Sequence, residues 1–411
     1  MPTTTIGFVP RDQFSKGAAA LRQIFERTSL PCHLVTVNPQ MPERYWRDLN
    51  AVLGGRDNVT VLQAAPFTST NEAKNMAARA SDSEYLCLIE NDVFVEEGWL
   101  ERLLAACEEM PADVAVPLIY ERDRESQLVH FDDRLGSIQT VQTENGPGIR
   151  ILPRLDARES DLQSTRRKVQ MIETHCVLFR RSAFDRIGGL DAGLSTSRNE
   201  VDLSLALHHA GATVAFEPAS HVTFLPPPPV ELEERDFYLE RWDPARARQD
   251  QDRIERRWNV IGFPNSVGFA EYRYQLAKVD PGVQETRFAE FEVRLRRATD
   301  EIASAVPPGR TFILVDDVQW KANVVGKGRR PLPFLEREGQ FYGPPSDDAT
   351  AISELERMRG MGAEYMVFGW PAFWWLEYYR GFEAYIRENF RSVLDNDRLI
   401  VFDLRRSGAA S

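Results

Sequence analysis

The sequence lacks several features that would assign it to a class of protein directly. It has no run of about 20 apolar residues, which a membrane-spanning helix requires, and no basic segment followed by an apolar one at the amino terminus. Its four cysteines, Cys32, Cys87, Cys107 and Cys176, show no paired metal-ligand spacing, so they indicate reduced thiols rather than a disulfide framework. We therefore expect a cytoplasmic protein without a transmembrane segment.

The sequence also has no excess of positive charge. The 50 lysines and arginines are outnumbered by 62 aspartates and glutamates, which gives a net charge of −12. This balance argues against general affinity for nucleic acid or anionic membranes. The sequence is long and rich in apolar residues. Its 411 residues, of which 43% are hydrophobic, are enough to build more than one core.

We expect two domains joined by a connector. Residues 226–229 are four consecutive prolines, which cannot continue a strand ladder. The predicted organisation is a first α/β domain at 1–225, a proline-rich and helical connector at 226–285, and a smaller α/β domain at 286–411.

The most informative stretch is an apolar run, residues 85–89, that ends in Glu90, Asn91 and Asp92. Such a run is typical of a strand buried on both faces, and in open α/β sheets the ligand lies beyond the carboxyl ends of these strands. Two carboxylates this close repel each other unless a cation lies between them, and Mg²⁺ or Mn²⁺ carrying a diphosphate is a common example. The stretch indicates a nucleotide-diphosphate site, although Asp92 is equally suited to a turn.

The flanking sequence extends this pattern. Residues 71–80 predict a helix before the strand, and residues 98–107 predict an amphipathic helix after it. Nearer the amino terminus, residues 5–9 and 33–37 are predicted strands.

This order resembles the metal-binding core of GT-A glycosyltransferases, and of family 2 in particular. In that family a helix with an Arg-Asn pair precedes a strand ending in Asp-x-Asp, and Gly-Trp-Leu frequently opens the next helix. The corresponding segments here are Lys74-Asn75, Glu90-Asn91-Asp92 and Gly98-Trp99-Leu100. The resemblance implies a Rossmann-like α/β fold that binds a nucleotide-diphosphate sugar, with Mg²⁺ or Mn²⁺ as cofactor.

The resemblance also implies roles for individual residues. Asp92, helped by Glu90, would hold the metal ion. His221 lies close to the place of a third ligand, although Thr223 fits the spacing better. A lone histidine beside apolar residues is, however, more often a packed side chain. Asn38 stands where an acid is usual in the family, so the sequence does not indicate which base the donor nucleotide carries. The residues that the resemblance assigns to the donor are Pro10, Arg11, Asp12, Asn38, Asn75, Glu90 and Asn91.

A second block resembles the acceptor half of family 2 enzymes. Residues 173–191 contain a strand and a Gly-Gly-Leu-Asp turn, and acids follow at the start of a predicted helix. In the family such an acid is the general base that removes the proton of the acceptor hydroxyl. Glu200 or Asp202 takes that role here, with Glu200 slightly favoured. Acids in a first helical turn also serve as caps, which is the alternative.

The predicted second domain has strands at 311–315, 364–368 and 399–402 with helices between them. Its sequence also contains an acid pair, Asp316-Asp317, and an aromatic cluster. Aromatic rings stack on sugars or pack in cores and interfaces, and here an interdomain contact is favoured. The cluster consists of Trp370, Phe373, Trp374, Trp375, Tyr378 and Tyr379.

The resemblance to family 2 implies a metal-dependent glycosyltransferase that moves a sugar from a nucleotide-diphosphate sugar to an acceptor hydroxyl with inversion, in glycan or surface polysaccharide synthesis. The acceptor is left open between a glycan, a lipid-linked molecule and a protein. One alternative is a non-catalytic nucleotide-sugar or glycan-binding scaffold, suggested by the departures at Asn38 and Glu90. A nucleotidyltransferase is less favoured, because the amino terminus lacks a glycine-rich, basic phosphate loop.

Overall fold

The computed structural model describes residues 3–11, 13–122, 129–131, 137–143, 146–152, 165–195, 198–226, 230–260, 267–317, 320, 326, 328–337, 340–341 and 344–405. The chain divides into two compact units. Unit 1 comprises Met1–Ile151 and Leu162–Thr286, and unit 2 comprises Arg287–Ser411 with Leu152–Asp161. The predicted connector falls within unit 1, and its prolines at 227–229 lie outside the described residues.

Unit 1 alternates strands and helices along most of its length. Its strands are β1 (Thr4–Val9), β2 (His33–Asn38), β3 (Val59–Gln63), β4 (Tyr85–Glu90), β5 (Val93–Val95), β6 (Val114–Glu121), β7 (Val129–Phe131), β8 (Ser137–Thr143), β9 (Gly146–Leu152), β10 (Arg167–Val169), β11 (Cys176–Arg180) and β12 (Val214–Phe224). Its helices are α1 (Phe14–Arg27), α2 (Glu43–Leu53), α3 (Thr70–Arg79), α4 (Trp99–Glu109), α5 (Arg181–Arg186), α6 (Asn199–His209), α7 (Arg235–Arg241), α8 (Pro244–Trp258) and α9 (Val267–Ala277). The division between the units falls within α10 (Pro281–Ala305).

The main sheet of unit 1 has the strand order β10-β12-β6-β11-β4-β1-β2-β3, with β5 paired to β12 and β7 paired to β6. The four strands β4, β1, β2 and β3 run parallel to one another. By contrast, β11 runs antiparallel to both β4 and β6. The residues that precede β11 therefore lie at the carboxyl end of β4.

The central strand β4 is buried along its whole length, as its continuous apolar sequence predicts. The helix that follows it, α4, buries Trp99, Leu100, Leu103 and Cys107 against the same core. The predicted strand, the acids at its end and the amphipathic helix are therefore confirmed.

A side chain of α3 holds the turn between α5 and α6. Asn75 accepts a hydrogen bond from the Leu190 backbone N–H at 2.9 Å and donates one to the Leu190 carbonyl at 2.8 Å. The preceding residue, Gly189, has a φ of +81°, and a Cβ there would lie 2.9 Å from Asn75 Oδ1. Only glycine therefore fits this close approach. The Gly-Gly-Leu-Asp segment is a turn packed on α3.

Unit 2 has its own sheet, with the strand order β14-β13-β17-β19-β18, so the predicted second α/β region is confirmed. Its strands are β13 (Thr311–Val315), β14 (Arg330–Pro333), β15 (Glu336–Arg337), β16 (Gln340–Phe341), β17 (Tyr365–Gly369), β18 (Arg391–Asp395) and β19 (Leu399–Asp403). Its helices after α10 are α11 (Asp348–Gly360), α12 (Trp374–Tyr378) and α13 (Arg380–Asn389), with a 3₁₀ turn at Trp370–Ala372. Across the described parts of both units, no helix combines the length and apolar character that crossing a membrane requires.

We expect Asn75→Ala to lower the free energy of unfolding of unit 1 by about 2–4 kcal/mol, because two buried backbone groups of Leu190 lose their partner. Urea denaturation followed by circular dichroism measures this. Asn50→Ala, at an exposed position on α2, is the control and should have little effect. Unchanged stability with weaker donor binding would instead favour the predicted donor-binding role of Asn75.

Candidate active site

The site is built where β1 and β4 end together. Because these strands are parallel and Val9 lies opposite Glu90, the chain segments that follow them leave the same edge of the sheet. Arg11 follows β1, and Asp92 follows β4. The antiparallel strand β11 adds a third segment, since the Glu90 backbone N–H donates to the carbonyl of His175 at 3.0 Å.

Asn91 fixes the segment after β1. Its Oδ1 accepts a hydrogen bond from the Arg11 backbone N–H at 2.8 Å, and its Nδ2 donates to the Gln13 carbonyl at 2.6 Å. The predicted donor residue Pro10 precedes this segment, and the predicted donor residue Asp12 lies outside the described residues. In this structure Asn91 therefore shapes the loop that presents Arg11.

Glu90 is 1% exposed and lies among three partners. Lys74 Nζ is 2.7 Å from its Oε1, and its Oε2 is 3.0 Å from Arg11 Nη1 and 2.7 Å from His175 Nδ1. Burial by itself would raise the pKa of Glu90. The charges of Arg11 and Lys74 and the contact with His175 outweigh burial and hold that pKa well below its usual range. Glu90 is therefore an ionised carboxylate inside the protein.

Asp92 is fully buried, and its Oδ2 lies 2.8 Å from Arg11 Nη2. The guanidinium of Arg11 thus bonds to both carboxylates at once, with Nη1 on Glu90 and Nη2 on Asp92. The sequence indicated that the two acids need a cation between them. In this structure that cation is Arg11.

Sequence reasoning missed His175. Burial lowers its pKa to about 3, against the opposing charge of Glu90, so the imidazole is neutral near pH 7. To hydrogen-bond with ionised Glu90, a neutral ring must carry its proton on Nδ1, which leaves Nε2 as an acceptor. Glu173 Oε1 lies 3.4 Å from that Nε2. Only the antiparallel register of β11 on β4 places His175 here, and no local sequence pattern reveals that register.

Glu173 extends the cluster towards the predicted acceptor half. Burial, followed by the charges of Glu200 and Glu90, raises its pKa to about 8. Glu173 is therefore close enough to both carboxylates to interact with them electrostatically. Contacts link Glu90 to His175 and His175 to Glu173, and the charge of Glu200 acts on Glu173.

The structure gives the two predicted bases different surroundings. Asp202 is buried, and its carboxylate accepts hydrogen bonds from Trp258 Nε1 at 2.7 Å and from Arg257 Nη1 at 3.1 Å. Burial raises the pKa of Asp202, and the bond from Trp258 and the charge of Arg257 oppose this. Asp202 thus links α6 to α8, whereas the side chain of Glu200 is 22% exposed and interacts with Glu173.

Two other predicted residues make contacts outside the acid cluster. Asn38 is buried, and its Oδ1 accepts a hydrogen bond from the Met41 backbone N–H at 3.1 Å, which closes a turn after β2. His221 lies on β12, with its Nδ1 3.3 Å from a carboxylate oxygen of Glu96. Among the described residues, the metal-ligand group at Asp92 contains Glu90 and His175 and does not include His221.

The donor set at Asp92 fits a divalent cation. One ligand atom from each of Glu90, Asp92 and His175 lies within 4.8 Å of the others, and carboxylate oxygens suit Mg²⁺ and Mn²⁺. The charges of Arg11 and Lys74 already balance the two acids. A cation that binds Asp92 must therefore compete with the guanidinium of Arg11.

Arg11→Gln should raise the affinity of the donor-free protein for Mn²⁺ by about tenfold or more, because it removes the positive charge between the two carboxylates. Electron paramagnetic resonance of free Mn²⁺ during a titration measures this. Arg47→Gln, which changes a side chain that is 74% exposed, is the matched control. Equal Mn²⁺ affinity in wild type and Arg11→Gln would show that guanidinium and metal ion do not compete.

Known proteins are similar to parts of this chain. The family model described as Glycosyl transferase family 2 matches residues 19–188. The Pre-mycofactocin glycosyltransferase of Mycobacterium tuberculosis (strain ATCC 25618 / H37Rv) is 26% identical over 171 residues, which are 41% of this chain and 33% of that protein. The uncharacterized protein y4gI of Sinorhizobium fredii is 23% identical over 266 residues, 64% of this chain and 28% of that protein. The chain thus spans about a third of the length of these curated relatives.

Two solved structures are also similar. GalNAc-T7 with UDP, GalNAc and Mn²⁺ has a TM-score of 0.43 and 15% identity, covering 62% of this chain and 50% of that one. S. aureus TarS 1–349 has a TM-score of 0.40 and 10% identity, covering 67% of this chain and 90% of that one. The stretch that matches the family 2 model, residues 19–188, includes the strand that ends at Glu90, and unit 1 has the α/β architecture that the sequence resemblance implies.

Proposed function

We propose that the chain transfers a sugar from a nucleotide-diphosphate donor to an acceptor hydroxyl with inversion at the anomeric carbon. The observation that carries this proposal is the position of Asp92. It follows the central parallel strand of a family 2 domain, beside Glu90 and within 2.8 Å of Arg11. Ligands of open α/β sheets bind at this edge. The acceptor would be a glycan, a lipid-linked molecule or a protein.

On the donor side, Arg11 is the residue suited to the diphosphate. A guanidinium recognises phosphate oxygens with two parallel hydrogen bonds, and the backbone of Arg11 is already fixed by Asn91. Asp92, with Glu90 and His175, would hold Mg²⁺ or Mn²⁺. When bound, such an ion neutralises the charge that develops on the departing diphosphate.

On the acceptor side, Glu200 is the proposed general base. It lies at the start of α6 and interacts with Glu173, which in turn reaches the acid pair through His175. The carboxylate of Asp202 accepts hydrogen bonds from Trp258 and Arg257. A base must be able to accept the proton of the attacking hydroxyl. Glu200 meets this requirement better, because its side chain is 22% exposed and its contact with Arg198 Nη1, at 3.8 Å, is longer than those of Asp202.

The Arg11 ion pair also favours one alternative, a domain that binds nucleotide sugar without turnover. Because Arg11 and Lys74 together balance the charges of both acids, a site that keeps this arrangement with donor bound would not recruit a metal ion. Measurements of turnover and of binding on the same protein separate the two functions.

Asp92→Asn should reduce release of nucleotide diphosphate at least about 100-fold, because the metal ion loses a charged ligand. The wild type would be tested with UDP-, GDP- and dTDP-sugars, with and without Mn²⁺, to find the donor. Asp57→Asn, at an exposed position, is the control. Near-normal turnover in Asp92→Asn would refute a metal role for this residue, and donor binding without release in the wild type would favour the non-catalytic alternative.

Substitutions of the two acids of α6 should separate catalysis from stability. Glu200→Gln should lower kcat by about 10²–10⁴-fold, the range for loss of a general base, without changing the free energy of unfolding. Asp202→Asn should lower that free energy by about 1–3 kcal/mol, because Arg257 and Trp258 lose a charged acceptor. Transfer kinetics and urea denaturation measure the two effects. A catalytic loss confined to Asp202→Asn would reverse the assignment.

A further inference from the structure

Unit 2 carries two large aromatic side chains that its core does not bury. On the short helix α12, Trp374 is 43% exposed and Tyr378 is 71% exposed, whereas Trp375, on the same helix, is 1% exposed and belongs to the core. Residues four apart on a helix lie on the same face. The aromatic cluster predicted from the sequence is thus divided between core packing and an exposed pair, Trp374 and Tyr378.

The exposed indole is held in place. The carboxylate of Asp317 accepts a hydrogen bond from Trp374 Nε1 at 2.6 Å and another from Trp375 Nε1 at 2.8 Å. Asp317 follows β13 and has a φ of +52°, a conformation that most residues other than glycine avoid. The ring of Trp374 is therefore orientated by a carboxylate while much of its surface stays in water. An ordered but solvated ring is a pre-organised contact for a ligand.

The two exposed rings stand beside each other at an angle. The centroids of Trp374 and Tyr378 are 6.1 Å apart, with 67° between the ring planes. Tyr379 packs at 82° against Tyr378, with the centroids 4.8 Å apart. The pair thus presents an aromatic corner supported from behind by a buried ring, rather than a flat apolar surface.

Charged residues adjoin the two exposed rings in sequence. Glu377 lies between the two rings in sequence and is exposed, and Arg380 begins the next helix with a side chain that is 70% exposed. A stable apolar interface with another protein needs a larger continuous apolar patch than two rings among charges. A pyranose ring fits better, because it has an apolar C–H face and a rim of hydroxyl groups. Electropositive C–H groups suit the negative face of an aromatic ring, and hydroxyl groups hydrogen-bond to carboxylates.

We propose that Trp374 and Tyr378 form a carbohydrate-binding site on unit 2, which takes an oligosaccharide of β-linked glucose or N-acetylglucosamine type. In such sugars the ring hydrogens are axial and make a continuous C–H face. One part of this proposal rests on the proposed function: the bound sugar would be part of the acceptor in the transfer reaction. Sugar binding itself does not depend on turnover.

The test is binding of cellohexaose and chitohexaose to the full chain, followed by ligand-observed saturation-transfer NMR. We expect at least one of them to bind, and Trp374→Ala and Tyr378→Ala each to weaken that binding by at least about fivefold, as loss of an aromatic contact does. Trp374→Phe keeps an aromatic face and should retain more affinity than Trp374→Ala. Tyr272→Ala, at a tyrosine of unit 1 that is 60% exposed, is the matched control and should bind as the wild type does.

Two results would overturn the site: no binding of either oligosaccharide at up to about 10 mM, or equal binding by the wild type, Trp374→Ala and Tyr378→Ala. Release of nucleotide diphosphate is measured on the same preparations. Release of nucleotide diphosphate without oligosaccharide binding would refute the carbohydrate-binding site and leave the proposed function standing. Oligosaccharide binding that depends on Trp374 and Tyr378, without release of nucleotide diphosphate, would support the carbohydrate-binding site and contradict the proposed function.

Discussion

An ionised carboxylate in the interior of unit 1 is the constraint on which the rest of the site depends. Glu90 is almost completely buried, and leaving such a charge without a partner costs about 3–5 kcal/mol. Its three partners come from separate parts of the chain. Lys74 lies on α3, Arg11 follows β1, and His175 immediately precedes β11. The carboxylate therefore fixes these three segments around the carboxyl end of β4, and Asp92 is positioned with them.

The same constraint sets the charge of the site. Arg11 and Lys74 together balance Glu90 and Asp92, so a divalent cation arriving alone would bring two excess positive charges into a buried place. A cation that arrives with a nucleotide diphosphate brings negative charge as well, and the phosphate oxygens offer the guanidinium of Arg11 new partners. In the proposed reaction, Arg11 would therefore exchange Asp92 for the diphosphate, and Asp92 with Glu90 and His175 would hold the divalent cation that accompanies the donor.

The parts of this site that local sequence patterns encode could be predicted, and those that depend on long-range register could not. The apolar run and the acids after it are visible within one segment, and they correctly indicated β4 and the charged edge. His175 reaches Glu90 only because β11 runs antiparallel to β4, and Asn75 bonds to a turn 115 residues away. Polar residues such as Asn38 also make local turns, and sequence alone does not separate that use from ligand binding.

Helical geometry bears on the remaining choice, between Glu200 and Asp202. Residues two apart on an α-helix are rotated by roughly 200° about its axis, so their side chains point to nearly opposite sides. These two acids therefore face different surroundings. Asp202 faces α8, where Arg257 and Trp258 bind its carboxylate. Glu200 consequently points to the other side of α6, where its Oε1 lies 3.8 Å from Arg198 Nη1 and its charge raises the pKa of Glu173. Helix α8, which lies in the connector predicted from sequence, thus helps to determine which acid can act as the base, because its Arg257 and Trp258 bind the carboxylate of Asp202.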